Sequence, residues 1–208
     1  MTICLVGSEM CIRDRTRNDT IRYNGGSMIL KLLILDIDGV LTDGTKVYDV
    51  DHKPVYKKFM CKDFTAIKRF MAAGVKVIMI SGDNYNRTMA EKRNIDFYCT
   101  RDKEDGLDKS LWLNEFKTKY KVDYNDMMFV GDDYFDYQMF QKLKHTACPS
   151  DVPLAIKDSA FIKLKSKGGQ GCIVELYDIC QTLNYIKSVT IDKVIELDKL
   201  EQTTAEMR

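Results

Sequence analysis

Histidine is nearly missing from this chain of 208 residues, and the two present, His52 and His145, lie far apart in sequence. A histidine-built metal site is therefore not expected. Cysteine occurs seven times but never as a Cys-x-x-Cys pair, so neither a zinc knuckle nor a disulfide framework is indicated, and free thiols in a reducing cytosol are the expectation. No apolar run approaches the roughly 18 to 20 residues that cross a bilayer. Excess charge is lacking too. The 32 basic and 31 acidic residues leave a formal net charge of +1, which excludes strong general attraction to nucleic acid or anionic membrane. With no internal repeat or low-complexity tract, the 45% hydrophobic content points to one soluble cytoplasmic domain around a single core.

The first 27 residues do not fit that description. Thr2 to Gly7 is weakly apolar, without a basic leader or a cleavage site, which argues against a secretory signal. Residues 1–27 are expected to be a non-native or disordered leader. Asn24-Gly25-Gly26-Ser27 forms a flexible joint, and Met28 stands immediately before the first strand.

What the chain does have is a pair of aspartates at a strand end. The run Ile29 to Leu35, interrupted by Lys31, reads as a strand buried on both faces, and it leads into Asp36-Ile37-Asp38-Gly39-Val40-Leu41-Thr42-Asp43-Gly44. Ligands of open α/β sheets bind just beyond the carboxyl ends of such strands. Two neighbouring carboxylates there need a cation, a shared proton, or both. A hairpin flap is expected next, from Thr45–Tyr48 and Val55–Phe59, and then a helix capped by Asp63 and closed by Gly74. Val75 to Ile80 is a second buried strand ending in Ser81-Gly82-Asp83. A helix follows to about Arg93, then a short strand near Phe97, and then a helix from Asp108 to Tyr120 with Leu111, Trp112 and Phe116 inward. Met127 to Val130 is a further strand and runs into Gly131-Asp132-Asp133. Strands alternating with helices at this spacing predict an α/β fold, a doubly wound parallel sheet without a large cap domain. The domain is expected over 28–184, followed at 185–208 by an amphipathic helix with Ile191, Val194, Ile195 and Leu200 on one side.

Taken together, Asp-x-Asp, Ser81, Lys109 and Gly-Asp-Asp make a coherent phosphoryl-transfer site. Asp36 would attack phosphorus and carry an aspartyl phosphate. Asp38 would protonate the leaving oxygen and later activate water. Magnesium would be held by Asp36, the Asp38 backbone carbonyl and Asp132. Ser81, Gly82 and the following amides would bind phosphate oxygens, and Lys109 would add a fixed positive charge. Asp133 and Asp136 would orient Asp132, Lys109 or metal-bound water. Cys61 has no evident base beside it, which argues against a thiol nucleophile.

The nine residues from Asp36 to Gly44 resemble motif I of the haloacid dehalogenase (HAD) superfamily, and the other motifs follow in its order. The Asp-Gly-Val-Leu-Thr-Asp-Gly form, the short hairpin, Asp108-Lys109, Gly131-Asp132-Asp133 and Gly168-Gly169-Gln170-Gly171 are similar to its cap-less 3-deoxy-D-manno-octulosonate 8-phosphate phosphatases. The resemblance covers about 30–183. It implies a magnesium-dependent phosphatase of acidic sugar phosphates, built as a homotetramer, in which a neighbouring subunit and the glycine-rich segment cover each site. The basic loop Lys165 to Gly171 would be that mobile cover.

Two departures stand out. The subfamily's Arg-Asp-Gly after the hairpin is Lys62-Asp63-Phe64 here, which keeps a positive charge without the planar fork suited to carboxylate. Its Thr/Ser-Gly-Arg is Ser81-Gly82-Asp83, an anion in place of a cation. Lys62 and Asp63 are still expected at the substrate, with altered specificity. The competing readings are a non-catalytic assembly module of the kind attached to sialic-acid cytidylyltransferases, and a nucleotide-sugar transferase using Asp-x-Asp alone.

Overall fold

The computed structural model describes residues 4–6, 9–12, 21–24, 28–104 and 106–206. The leader expected over 1–27 lies largely outside them. Within it, Cys4–Val6, Glu9–Ile12 and Ile21–Asn24 pair antiparallel.

From Met28 onward the expected alternation is present. The parallel strands are β1 (Leu32–Leu35), β4 (Lys76–Ser81), β5 (Asp96–Cys99), β6 (Met127–Val130), β7 (His145–Cys148) and β8 (Ile162–Lys163), while β2 (Val47–Tyr48) and β3 (Pro54–Tyr56) form a separate hairpin. The spatial order of the six is β8-β7-β6-β1-β4-β5. Among the described residues no large cap domain interrupts them. β1 therefore lies between β4 and β6, with Ile34 opposite both Ile78 and Phe129.

Leucine, isoleucine, valine and methionine fill β1, β4 and β6 because helices cover both faces. Leu33, Leu35, Val77, Met79 and Met128 turn to one side, beneath α1 (Cys61–Ala72) and α6 (Cys172–Thr182). Leu32, Ile34, Ile78, Ile80 and Phe129 turn to the other, beneath α3 (Leu113–Tyr120) and α4 (Tyr137–Lys142). The remaining helices are α2 (Arg87–Glu91), α5 (Leu154–Ser159) and α7 (Ile191–Glu206). None among the described residues is long and apolar enough to cross a membrane.

Several local expectations are corrected. The helix expected from Asp108 opens as a 3₁₀ turn, Lys109–Trp112, whose cap is the Asp108 carboxylate accepting from Ser110 N at 2.8 Å. Leu111 consequently faces outward, while Trp112 and Phe116 are buried as expected. Along α7, Ile191, Ile195 and Leu200 are exposed and Val194 is half-buried. That helix meets α1 through ion pairs of Lys68 with Asp198 and, at 2.7 Å, with Glu201.

Asp63 does not cap its own helix. It is buried, and its carboxylate accepts from the amides of Gly171, Ile173 and Val174 at 3.1, 2.9 and 3.2 Å. These are the unsatisfied amides at the start of α6, where a negative charge also suits the helix dipole. An Asp63→Ala protein should lose about 2 kcal/mol of stability, read as an earlier urea midpoint at unchanged slope.

Candidate active site

The loop after β1 is held on three sides. Asp36 N donates to Val130 O at 2.9 Å, tying the loop to β6, and the amides of Val40, Leu41 and Thr42 all converge on Ile37 O. The Thr42 hydroxyl oxygen accepts from Gly39 N at 3.3 Å and Gly44 N at 3.2 Å. Gly39 adopts φ +85°, and a Cβ there would fall 1.8 Å from Asp132 Oδ2, so only glycine lets the Asp132 carboxylate close over the turn.

The glycine-rich segment supplies the third support. Gly169 N donates to Val40 O at 2.8 Å, Cys172 Sγ to the same oxygen at 3.2 Å, and a Cβ on Gly168 would meet Gly39 O at 1.9 Å. Gly168 and Gly169 thus form a packed brace under the chain's own aspartate loop, and the segment does not line this chain's cleft.

Asp36, Asp38, Ser81, Gly82, Lys109, Asp132, Asp133 and Asp136 all line one cleft of about 340 Å3 at the carboxyl ends of β1, β4 and β6. At its floor the Lys109 ammonium sits 2.9 Å from Asp36 Oδ2 and 2.6 Å from Asp136 Oδ1. Burial pushes Lys109 toward losing its proton, but Asp136 and Asp36 outweigh it and hold the group well above the usual lysine range. Burial also raises Asp36 to about 7, against the pull of Lys109, and raises Asp132 to about 9 with the help of Asp36 and Asp136.

Asp36, Asp132 and Asp136 bring their oxygens within 4.8 Å of one another. Asp132 Oδ1 is buried without a hydrogen-bond partner. Three gathered carboxylates with an orphaned oxygen suit a hard divalent cation. Asp136 is already committed: besides Lys109 it accepts from Asp132 N at 2.8 Å and Asp133 N at 3.3 Å. It shapes the turn that presents Asp132.

Asp38 faces the other way, toward the flap. Its Oδ1 lies 2.7 Å from Lys57 Nζ, and its Oδ2 accepts from Lys57 Nζ at 3.0 Å and Asn86 Nδ2 at 3.2 Å. Ser81 Oγ accepts from Asp83 N at 3.0 Å and Asn86 Nδ2 at 3.2 Å, which leaves its hydroxyl hydrogen to donate into the cleft. Asp83, expected to remove positive charge from the site, is matched by Lys46 at 2.7 Å and Lys57 at 2.9 Å. Against the cost of burial, those two lysines hold its carboxyl well below the usual range. The flap returns the charge that the sequence comparison counted as lost.

Lys62 is exposed on α1 and Asp63 is turned to α6, so neither lines the cleft. The expected amides beyond Ser81 are also partly committed, Asp83 N to Ser81 Oγ and Tyr85 N to Asp83 Oδ1.

No family model matches the chain. It is similar over 153 residues to the 3-deoxy-D-manno-octulosonate 8-phosphate phosphatase of Haemophilus influenzae, with 28% identity, covering 72% of this chain and 82% of that protein. The cobalt-bound structure of the H. influenzae enzyme superposes with a TM-score of 0.67 at 27% identity, over 74% of this chain and 88% of that one. A HAD-superfamily subfamily III A hydrolase from Legionella pneumophila gives 0.69 at 25% identity, over 81% and 88% of the two chains. The chain is a phosphatase that resembles these HAD-superfamily enzymes.

In this phosphatase, sequence reasoning missed Lys46, Lys57, Asn86 and Arg101. Arg101 follows β5 and lines the cleft, so the rule that found Asp36 at the end of β1 would have found it too. Lys46 and Lys57 flank the hairpin and give no local signal. Their role appears only when the flap folds over Asp38.

Proposed function

We propose that this phosphatase hydrolyses the phosphate monoester of a sugar acid, 3-deoxy-D-manno-octulosonate 8-phosphate or a close analogue, with magnesium and through an aspartyl phosphate on Asp36. The observation that carries the proposal is the cleft floor, where a buried Asp36 meets Lys109 and adjoins Asp132. Asp36, the Asp38 backbone carbonyl and Asp132 would hold the magnesium ion. When bound, it offsets phosphate charge and keeps Asp36 ionised.

The remaining chemistry belongs to the chain. Lys109 and the Ser81 hydroxyl hold phosphate oxygens as charge develops on them. Asp36 opens the ester and Asp38 protonates the departing sugar oxygen, then accepts a proton from the water that cleaves the aspartyl phosphate. Arg101, which lines the cleft with Leu107 and Phe135 and has no ion pair among the described residues, would meet the sugar carboxylate. A homotetramer belongs to the same proposal, supported by the exposed Tyr48, Val50, Val55 and Tyr56 of the hairpin. Mass measured in solution checks it.

The direct test is phosphate release from a panel of sugar phosphates with magnesium and with chelator. Acidic sugar phosphates should be preferred and chelation should stop turnover; phosphate release indifferent to magnesium would defeat the proposal.

Proton competition gives an independent check. Asp36 and Asp132, raised to about 7 and about 9 without a cation, must be deprotonated to bind one. Magnesium affinity should therefore weaken as pH falls through that range, with protons released on binding. Calorimetric titrations in buffers of different ionisation enthalpy would show this, and a flat affinity would refute it.

A further inference from the structure

Lys57 enters from an exposed hairpin, yet its side chain is completely buried at 0% exposure. Its ammonium donates to Asp38 Oδ2 at 3.0 Å, Asp83 Oδ2 at 2.9 Å and Asn86 Oδ1 at 3.0 Å, and it lies 5.5 Å from the centre of the Tyr85 ring. Three donors meet three acceptors. Asn86 then passes its own amide hydrogens to Asp38 Oδ2 and Ser81 Oγ, both at 3.2 Å. The arrangement fixes the Asp38 carboxylate and joins it to the hydroxyl on the phosphate side of the cleft. Lys46 stands farther off, 4.0 Å from Asp38, and serves chiefly Asp83.

We propose that Lys57 is the positioning residue for proton transfer by Asp38, an assignment that rests on the phosphatase reading above. As an Asp36 oxygen bonds to phosphorus, the bond from phosphorus to the sugar oxygen breaks and its electron pair stays on that oxygen. The proton passes from the Asp38 carboxyl to the same oxygen. Lys57 holds the carboxyl in line and stabilises the carboxylate left behind. In the second half, water oxygen bonds to phosphorus, the Asp36–phosphorus bond breaks with its electrons returning to Asp36, and the water proton goes to Asp38. The hairpin is thereby a working part of the acid/base machinery.

The test compares kcat/KM, which reports the steps through departure of the alcohol, for two esters. An alkyl sugar phosphate needs its leaving oxygen protonated, whereas 4-nitrophenyl phosphate releases a phenolate that does not. Lys57→Met should lower kcat/KM about 100-fold on the alkyl ester and less than about 10-fold on the aryl ester, within the range a general acid supplies. Asp38→Asn should show the same discrimination, and adding Lys57→Met to it should cost little more, because the two act as one unit. Equal losses on both esters, or none, would overturn the assignment. If Lys57→Met fails to fold, Lys57→Gln, which keeps two N–H donors but no charge, is judged by the same ratio. An unaltered protein inert on both esters would overturn the phosphatase reading and this assignment with it.

Discussion

Asp36→Asn should leave a folded protein whose phosphate release has fallen by a thousandfold or more, about 4 kcal/mol of lost transition-state stabilisation. The amide has almost the shape of the carboxylate and keeps a contact for Lys109, 2.9 Å away in the native site. It cannot become an acyl phosphate by simple attack. Stability should move the opposite way. Asp36 is held against burial and against Asp136, so removing its charge relieves a cost and the thermal midpoint should hold or rise. Activity within tenfold of the native protein would remove Asp36 from the role of nucleophile. A collapse in stability would mean that the loss of activity says nothing about chemistry.

The second large effect is expected from Lys109→Met. The ammonium is the one cation in contact with both Asp36 and Asp136 among the described residues, and both carboxylates are buried. Taking away one partner of a buried ion pair typically costs 3–5 kcal/mol because the remaining charge has no compensation, and about that much should be lost here in chemical denaturation. Turnover should fall together with it, by about a hundredfold or more, since in the proposed reaction the same ammonium holds the phosphate oxygens. Magnesium should restore part of the lost stability, as a divalent cation meets the same need. A denaturation midpoint unchanged by the substitution would show that the three carboxylates manage without Lys109.

How much of this could be read from the sequence follows from how far apart in the chain the interacting groups lie. Asp36, Ser81 and Asp132 were legible because each ends an apolar strand, and the doubly wound order brings those three ends side by side without further information. Lys109 was legible through its place in the series of motifs. Asp63 was misplaced because its position suited a local helix cap, while its real partners are amides 108 to 111 residues away. Asp83 after Ser81 suggests a loss of positive charge from the site, but Lys46 and Lys57 reach it from a hairpin whose path over the sheet no periodicity encodes. In the sequence the glycine-rich segment suggests a cover, because glycine signals freedom in isolation. Here it signals close approach of two backbones.

That contact has a bearing on how the protein comes into being. Val40, in the aspartate loop, is bound by Cys172, 132 residues further along, and Gly168 and Gly169 complete the same seat. During synthesis from the N-terminus, every residue lining the cleft has left the ribosome before the seat exists. A nascent chain halted after Asp136 carries every residue lining the cleft but holds Gly39 and Val40 only through their own loop, by Thr42 and Ile37, without the seat that Gly168, Gly169 and Cys172 later provide.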